Sequence, residues 1–247
     1  MLKLMKYEFR KTMFSKMILL LITGLAEILY LLGVFMKWNS GLAWGIAGLI
    51  CCALIGIFYI GIESLLVFQK DLNTKQSYML FLTPKNSYQI LGAKVLENGI
   101  SIFITGVFFA LLAAIDWSVG VIYIGGVKQF VDILHQISVS INVDMNITAS
   151  WLLLAFFSGL SSWLMTIITG ELAIILSATV LAGKKFSGLV SFLLFILLTI
   201  LAGKIMYLVP SMKDEMIRFS LLIVTALVIS AVMYVVSGWI MDKKLSV

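Results

Sequence analysis

Six long apolar stretches, separated by polar segments, dominate the pattern of this chain. They cover residues 17–36, 42–68, 95–115, 151–182, 186–209 and 217–240. Each holds about 20 residues or more, which is enough for an α-helix to cross about 30 Å of hydrocarbon. The pattern predicts an all-α integral membrane protein with six transmembrane helices, in a single transmembrane domain over residues 1–247.

An amphipathic pattern precedes the first apolar stretch. Residues 1–16 carry five basic side chains, and Leu2, Met5, Phe9 and Met13 recur at spacings of three or four. This periodicity predicts an interfacial helix that lies on the membrane surface with its basic face toward anionic lipid head groups.

Two loops are long enough to carry structure of their own. The loop over residues 116–150 contains a stretch, residues 137–147, in which apolar and polar side chains alternate, as in a half-buried strand. The loop over residues 69–94 joins the second and third apolar stretches. Because a lone strand needs a partner, we expect the stretch 137–147 to pair or to lie on the membrane surface.

The composition and the distribution of charge support a membrane protein with a defined orientation. Hydrophobic residues make up 62% of the chain and charged residues 12%, and no soluble core of this size could bury so much apolar surface. If the N-terminus is cytoplasmic, thirteen of the 18 Lys and Arg residues fall on the inner side. The positive-inside rule therefore places both termini in the cytoplasm, the loop 69–94 inside and the loop 116–150 outside. The net charge of +6 reflects this topology rather than nucleic-acid binding.

Tryptophans mark the ends of several predicted spans. Trp38 and Trp44 flank the first outer turn, and Trp117 and Trp151 bracket the outer loop. Such aromatic side chains are typical of the membrane–water interface. They therefore support the span positions independently of charge.

The sequence pattern lacks the residues that an ATPase or an intramembrane protease would need. A phosphate-binding loop requires G-x-x-x-x-G-K-[ST], and Gly183-Lys184-Lys185 lacks both the leading Gly and the closing Ser or Thr. All six aspartates are expected in loops or at span ends, the single histidine is His135, and Cys51 and Cys52 are adjacent. We therefore expect no catalytic residue, no metal site and no cofactor bound by this chain.

Three glutamates stand out inside apolar stretches: Glu27, Glu63 and Glu171. An ionisable group at such a depth usually faces a protein interior or a water-filled path. The three residues either line a pathway or gate, or form hydrogen-bonded contacts between helices. Glu97 begins the third stretch, three residues after Lys94, which indicates an interfacial ion pair.

Two small-residue pairs would allow close helix approach. They are Gly41-x-x-x-Gly45 and Ser158-x-x-x-Ser162. Because such pairs are common in apolar sequence, they do not assign a dimer face.

The sequence of the loop 69–94 predicts a short helix, then a break, then a second helix. Residues 77–82 are apolar enough for a helix, and Thr83-Pro84 ends it because proline disfavours the helical state before it. A new helix is predicted to begin near Asn86 or Ser87, both good N-caps, and to run into the third span. A short projecting helix of this kind is suited to contact a cytoplasmic partner.

The layout resembles the permease subunits of bacterial type-2 ATP-binding-cassette exporters. The matching features are the six spans and four short motifs: Lys6-Tyr-Glu-Phe-Arg-Lys11, Tyr78-Met-Leu-Phe-Leu-Thr-Pro84, Ile90-Leu-Gly-Ala-Lys94 and Met241-Asp-Lys-Lys-Leu245. The layout covers the whole chain, whereas the motifs are short and degenerate.

This resemblance implies a role and partners. Such permeases work as a pair of membrane subunits, identical or paralogous, above two soluble ATPase subunits that bind ATP and Mg²⁺. It implies export of amphipathic peptides or similar hydrophobic compounds across a bacterial plasma membrane, as in exporters of phenol-soluble modulins and lantibiotics. The coupling residues would be Ser77, Tyr78, Met79, Leu80, Phe81, Leu82, Thr83 and Pro84.

Two other functional classes remain open on the sequence. The chain could be an ion- or proton-coupled carrier or channel that uses Glu27, Glu63 and Glu171. It could also be a sensor or scaffold that docks a partner through the loop 69–94. The carrier would be sensitive to neutralisation of the glutamates, whereas the exporter would be sensitive to Leu80→Asp or Phe81→Asp.

Overall fold

The computed structural model describes residues 2–36, 38–73, 86–124, 126, 149–180, 186–210 and 214–244. Across these residues the regular structure is entirely α-helical. Its helices are α1 (Leu2–Phe35), α2 (Asn39–Asn73), α3 (Ser87–Ile124), α4 (Ala149–Val180), α5 (Ser187–Tyr207) and α6 (Glu215–Lys244). All six are long and apolar enough to cross a membrane, which confirms the predicted all-α, multi-pass architecture.

The predicted interfacial helix is not a separate element. Residues 2–16 form the first half of α1, which continues without interruption to Phe35. The sequence contains no proline in this region and no glycine before Gly24, so nothing interrupts the i to i+4 hydrogen bonds. Residues 2–16 are therefore helical, but a separate interfacial helix is not shown.

The third helix is much longer than the predicted span of residues 95–115. It begins at Ser87, as the capping pattern indicated, but it continues to Ile124. Beyond it, Gly126 adopts a positive φ of 96° and donates its N–H to the carbonyl of Val121, an arrangement that ends helices and favours glycine. Asp116, which the sequence placed in a loop, therefore lies inside α3.

The second and third helices are also longer than a bilayer requires. At about 1.5 Å per residue, α2 is about 52 Å long and α3 about 57 Å, against about 30 Å of hydrocarbon. Trp44 lies near the start of α2 and Trp117 near the end of α3. If these tryptophans mark one membrane interface, the surplus length lies at the Asn73 and Ser87 ends.

The chain divides into two compact units by its internal contacts. The first unit contains Met1–Tyr7, Ile62–Glu97 and Thr148–Val247, and the second contains Glu8–Gly61 and Asn98–Ile147. The first unit has a buried core to which α2, α3, α4 and α6 contribute. Its members are Phe68, Ile90, Leu91, Leu172, Ile174, Ile175, Ile240 and Met241.

Helix α4 is central to the first unit. In its most apolar window 61% of the residues are buried, against 11–22% in the other five helices. At its end, the Ser177 hydroxyl donates a 2.7 Å hydrogen bond to the Ser187 carbonyl at the start of α5. This bond connects the end of α4 to the start of α5.

Helices α1 and α2 form a close antiparallel hairpin within the second unit. A Cβ atom on Gly45 would lie 2.5 Å from the Cα of Tyr30, and a Cβ on Gly33 would collide with the backbone of Leu42. The Trp38 amide closes the turn by donating to the Gly33 carbonyl at 2.9 Å. The small-residue position Gly45 therefore serves packing inside the chain.

Replacing Gly45 with alanine should force α1 and α2 apart, because the obstructing atoms belong to backbone. The free energy of unfolding should fall by about 1–3 kcal/mol, the usual cost of overpacking. Thermal unfolding in detergent would measure it. Gly203→Ala is the matched control, since a Cβ at Gly203 meets nothing within 4 Å. Equal melting temperatures for the two variants would contradict the close hairpin.

Candidate functional site

The predicted coupling residues Ser77–Pro84 lie outside the described residues, and so do His135 and the alternating stretch 137–147. The structure does describe the two helix ends that flank the coupling segment. These are the last turn of α2, up to Asn73, and the start of α3, from Ser87. The candidate site is built on these two ends.

A buried ion pair joins the two flanking helix ends. The Lys94 Nζ lies 3.0 Å from the Asp71 Oδ2, and these residues are only 2% and 3% exposed. The Lys94 ammonium also lies 5.2 Å from the centre of the Phe68 ring, within range of a cation–π interaction. The pair joins two residues that are 23 positions apart in the sequence. It therefore fixes the register of α2 against α3.

A second carboxylate belongs to the same charged group. Glu171 on α4 is 2% exposed and interacts electrostatically with Lys94 and with the Tyr234 phenol on α6. Its Oε2 is buried and accepts no hydrogen bond from any described residue. Asp71, Lys94 and Glu171 are called the Lys94 cluster below.

Tyrosines close the α6 side of the Lys94 cluster. The Tyr234 hydroxyl donates a 2.6 Å hydrogen bond to the Tyr88 carbonyl, and the two rings are 6.2 Å apart. The Tyr88 ring lies directly over Gly238, where any Cβ would collide with it. The contact fixes the start of α3 against α6.

Two other glutamates of the first unit are also buried. Glu63 on α2 is 7% exposed and Glu97 on α3 is 3% exposed. Leu65 follows Glu63 by two residues, and a Cβ added to Gly170 would lie 2.6 Å from the Leu65 Cδ1. Helices α2 and α4 therefore approach closely here. Glu97 lies within α3 rather than at its start. The 3.0 Å ion pair between Lys94 and Asp71 was not predicted from the sequence.

The second unit contains a carboxyl pair on α1 and α3. The side-chain carboxyl groups of Glu27 and Asp116 lie within hydrogen-bonding range of each other. The Tyr30 hydroxyl donates a 2.7 Å bond to the Asp116 carbonyl. Buried Oε2 of Glu27 and Oδ1 of Asp116 accept no bond from another described donor. Two carboxyl groups can hydrogen-bond only if one of them carries a proton.

Polar contacts continue along the same helices of the second unit. The Lys16 ammonium donates to the Ser101 hydroxyl at 2.6 Å. The Asn98 amide donates to the carbonyls of Ile60 and Gly61 at 3.2 and 3.3 Å. These bonds are those expected of polar side chains that join helices in lipid. Hydrogen bonding between helices therefore explains why Asn98 and Ser101 are buried.

The three glutamates that the sequence singled out are divided between the two units. Glu63 and Glu171 belong to the first unit and Glu27 to the second. Sequence reasoning missed two contacts: Asp71 with Lys94, and Glu27 with Asp116. The available signal for Asp116 was the apolar run Val119–Ile124 after it, which extends the helical pattern. Among the described residues, no group of three His, Cys, Asp or Glu side chains could hold a metal ion.

Comparison with known proteins gives no relatives. No protein-family model, no curated protein and no solved structure matches the chain. Function must therefore be argued from the site and from the sequence motifs.

Replacing Lys94 with alanine should be strongly destabilising, because it leaves Asp71 and Glu171 buried without their cation. Removing one partner of a buried pair costs about 3–5 kcal/mol, which thermal or denaturant unfolding in detergent would detect. Lys244→Ala is the matched control, since Lys244 is exposed at the end of α6. A loss no larger than that of the control would show that the pair does not hold the helix ends.

Replacing Glu27 with glutamine should affect stability less than replacing it with alanine. Glu27→Gln supplies an N–H that can donate to Asp116 and should unfold close to the wild-type temperature. Glu27→Ala removes the partner of Asp116 and should cost about 1–3 kcal/mol. Equal melting temperatures for these two variants would show that the carboxyl contact contributes nothing to stability.

Proposed function

We propose that this chain is the permease subunit of an ATP-driven exporter of amphipathic peptides or similar hydrophobic compounds. The sequence motifs that resemble type-2 ATP-binding-cassette permeases support this function, and the six membrane-crossing helices are compatible with it. In this proposal two permease subunits pair with two soluble ATPase subunits, which bind ATP and Mg²⁺. The permease lies in a bacterial plasma membrane with both termini in the cytoplasm.

The single structural observation that carries the proposal is the buried Asp71–Lys94 pair. A subunit driven from outside must transmit force from its docking segment to its transmembrane helices. Residues 74–85 connect α2 to α3, and the 3.0 Å ion pair holds the two helix ends on either side. A displacement of residues 74–85, called the docking segment below, would then move α2 and α3 together instead of moving one helix end alone.

The burial of the core at the same helix ends is a second support. Phe68, Ile90 and Leu91 are at most 1% exposed, and they pack with residues of α4 and α6. A packed core transmits displacement because it has almost no free volume. Movement of α2 and α3 would therefore reach α4, the most buried helix.

A proton- or ion-coupled carrier is the second candidate, and the Glu27–Asp116 contact favours it. A carboxyl pair that shares a proton within apolar helices is a feature of proton-transfer paths. This function requires no ATPase, and it predicts that transport follows an ion gradient. Transport by vesicles without ATP, lost on Glu27→Gln, would replace the exporter proposal with this one.

Gentle purification of the tagged chain from its host, followed by native mass spectrometry, tests the exporter. The expected assembly contains two permease subunits and two copies of a soluble protein with a phosphate-binding loop. Phe81→Asp should abolish stimulation of ATP hydrolysis by the permease without lowering the melting temperature. A charge at this position opposes docking of an apolar helix.

Tyr207→Asp provides the control for this substitution. Tyr207 is 90% exposed at the end of α5, in the same unit but away from the docking segment in sequence. Recovery of the permease alone, under conditions that preserve other membrane complexes, would contradict the exporter. Normal coupling in Phe81→Asp would show that residues 77–84 do not dock the ATPase.

A further inference from the structure

A cavity of about 280 Å³ lies where α5 ends and α6 begins. The Leu208 amide closes the last turn of α5 by donating to the Ile205 carbonyl at 3.1 Å. Pro210 follows two residues later and cannot continue the helix, because it has no N–H to donate. Leu208, Val209 and Pro210 line the cavity from the end of α5, and residues of α6 line it from the other helix.

The lining of this cavity combines one charge with several apolar side chains. Arg218 of α6 is the only charged side chain among the described residues that line it. Leu222, which also lines the cavity, lies one turn further along the same face of α6, since residues four apart are neighbours on a helix. A cation beside apolar surface matches an amphiphile that has an anionic head and a hydrocarbon tail.

The Arg218 guanidinium is accessible to such a ligand. Its side chain is exposed, and neither of the ion pairs found among the described residues involves it. Asp214, one turn earlier, accepts the Met216 amide at 3.0 Å through its Oδ1 and so caps α6. Because a guanidinium presents two parallel N–H groups, it binds the oxygens of a phosphate group well.

The length of α5 places the cavity at the level of lipid head groups. The helix has 21 residues and is therefore about 31 Å long, which matches about 30 Å of hydrocarbon. Its two ends then lie near the two membrane surfaces. Trp151 of α4 packs edge to face with Phe219, the neighbour of Arg218, at 5.8 Å between ring centres, and tryptophan is typical of the membrane–water interface.

The size and the lining of the cavity favour a lipid over a soluble anion. Its volume of about 280 Å³ is near the lower limit of about 300 Å³ for a small-molecule site, so it can hold one end of a lipid. A free phosphate would bind Arg218 but leave the apolar lining in contact with water. A phospholipid would satisfy the charge and cover the apolar side chains together.

We propose that this cavity binds an anionic phospholipid, with the phosphate on Arg218 and the start of an acyl chain against Leu222 and Val209. The bound lipid connects the end of α5 to the start of α6. Because it binds the folded chain, it stabilises that chain. The site is a property of the permease chain alone, so it does not depend on the proposed function or on an ATPase.

Titration of the purified, delipidated chain with phosphatidylglycerol in a neutral detergent tests the site, with native mass spectrometry counting the bound lipid. Phosphatidylglycerol should bind more tightly than phosphatidylcholine, whose ammonium group offsets the phosphate charge. Arg218→Ala should weaken phosphatidylglycerol binding about tenfold, the usual scale for losing a hydrogen bond to a charged group. Equal affinities of the wild type and Arg218→Ala would overturn the proposal.

Lys204→Ala is the matched control for the loss of charge. Lys204 is exposed near the end of α5 but is not among the described residues that line the cavity. Its replacement removes one positive charge from the same end of the molecule and should leave the affinity close to that of the wild type. A loss as large as that of Arg218→Ala would overturn the proposal, because the lipid would then respond to net charge alone.

Leu222→Trp tests the apolar part of the site. The larger side chain would fill part of the cavity and should weaken phosphatidylglycerol binding although Arg218 is still present. Wild-type affinity in this variant would show that the acyl chain does not use the cavity, which would overturn the proposal. Soluble glycerol phosphate should not compete with the lipid, and full competition would identify an anion site without a lipid.

Thermal unfolding separates an effect on binding from an effect on folding. Without added lipid, Arg218→Ala should melt at the wild-type temperature, because Arg218 is exposed. Excess phosphatidylglycerol should raise the melting temperature of the wild type and of Lys204→Ala by about 3–6 °C, but not that of Arg218→Ala. An equal rise in all three proteins would overturn the site.

Discussion

The ion pair between Asp71 and Lys94 places two charges 3.0 Å apart where almost no solvent reaches them. Neither charge could remain there alone, because desolvation of a single ion costs several kcal/mol. The pair therefore requires α2 and α3 to keep one register. In that register Phe68, Ile90 and Leu91 pack with residues of α4 and α6. The architecture of the first unit depends on this contact.

Burial is distributed unevenly because the solvent differs along the helices. Side chains in contact with lipid need no protein partner, so exposed leucine and phenylalanine carry no penalty there. The densest packing lies in the core to which α2, α3, α4 and α6 contribute, where Phe68, Ile90, Leu91 and Ile175 are at most 1% exposed. There apolar side chains are buried against protein, as in a soluble domain.

The two units arrange the acidic side chains of their helices in different ways. In the first unit a lysine compensates Asp71 and interacts with Glu171, so the acids belong to a charged group. In the second unit Glu27 and Asp116 approach each other and Tyr30 holds the neighbouring carbonyl. The first arrangement is suited to transmit helix displacement, and the second to hold a proton. The exporter proposal therefore rests on the first unit and the carrier alternative on the second.

The sequence by itself determined the fold class and the six helices, because uninterrupted apolar runs of this length leave a backbone no other way to satisfy its hydrogen bonds in lipid. It also determined the start of α3 at Ser87, through local capping chemistry. It could not determine that α1 is continuous or that α3 reaches Ile124, because hydropathy does not distinguish a helix inside the membrane from one that extends past it. Only the tertiary structure decided that Lys94 pairs with Asp71, and that Glu27 meets Asp116. Partners 23 and 89 residues apart are set by how helices pack, which no local pattern records.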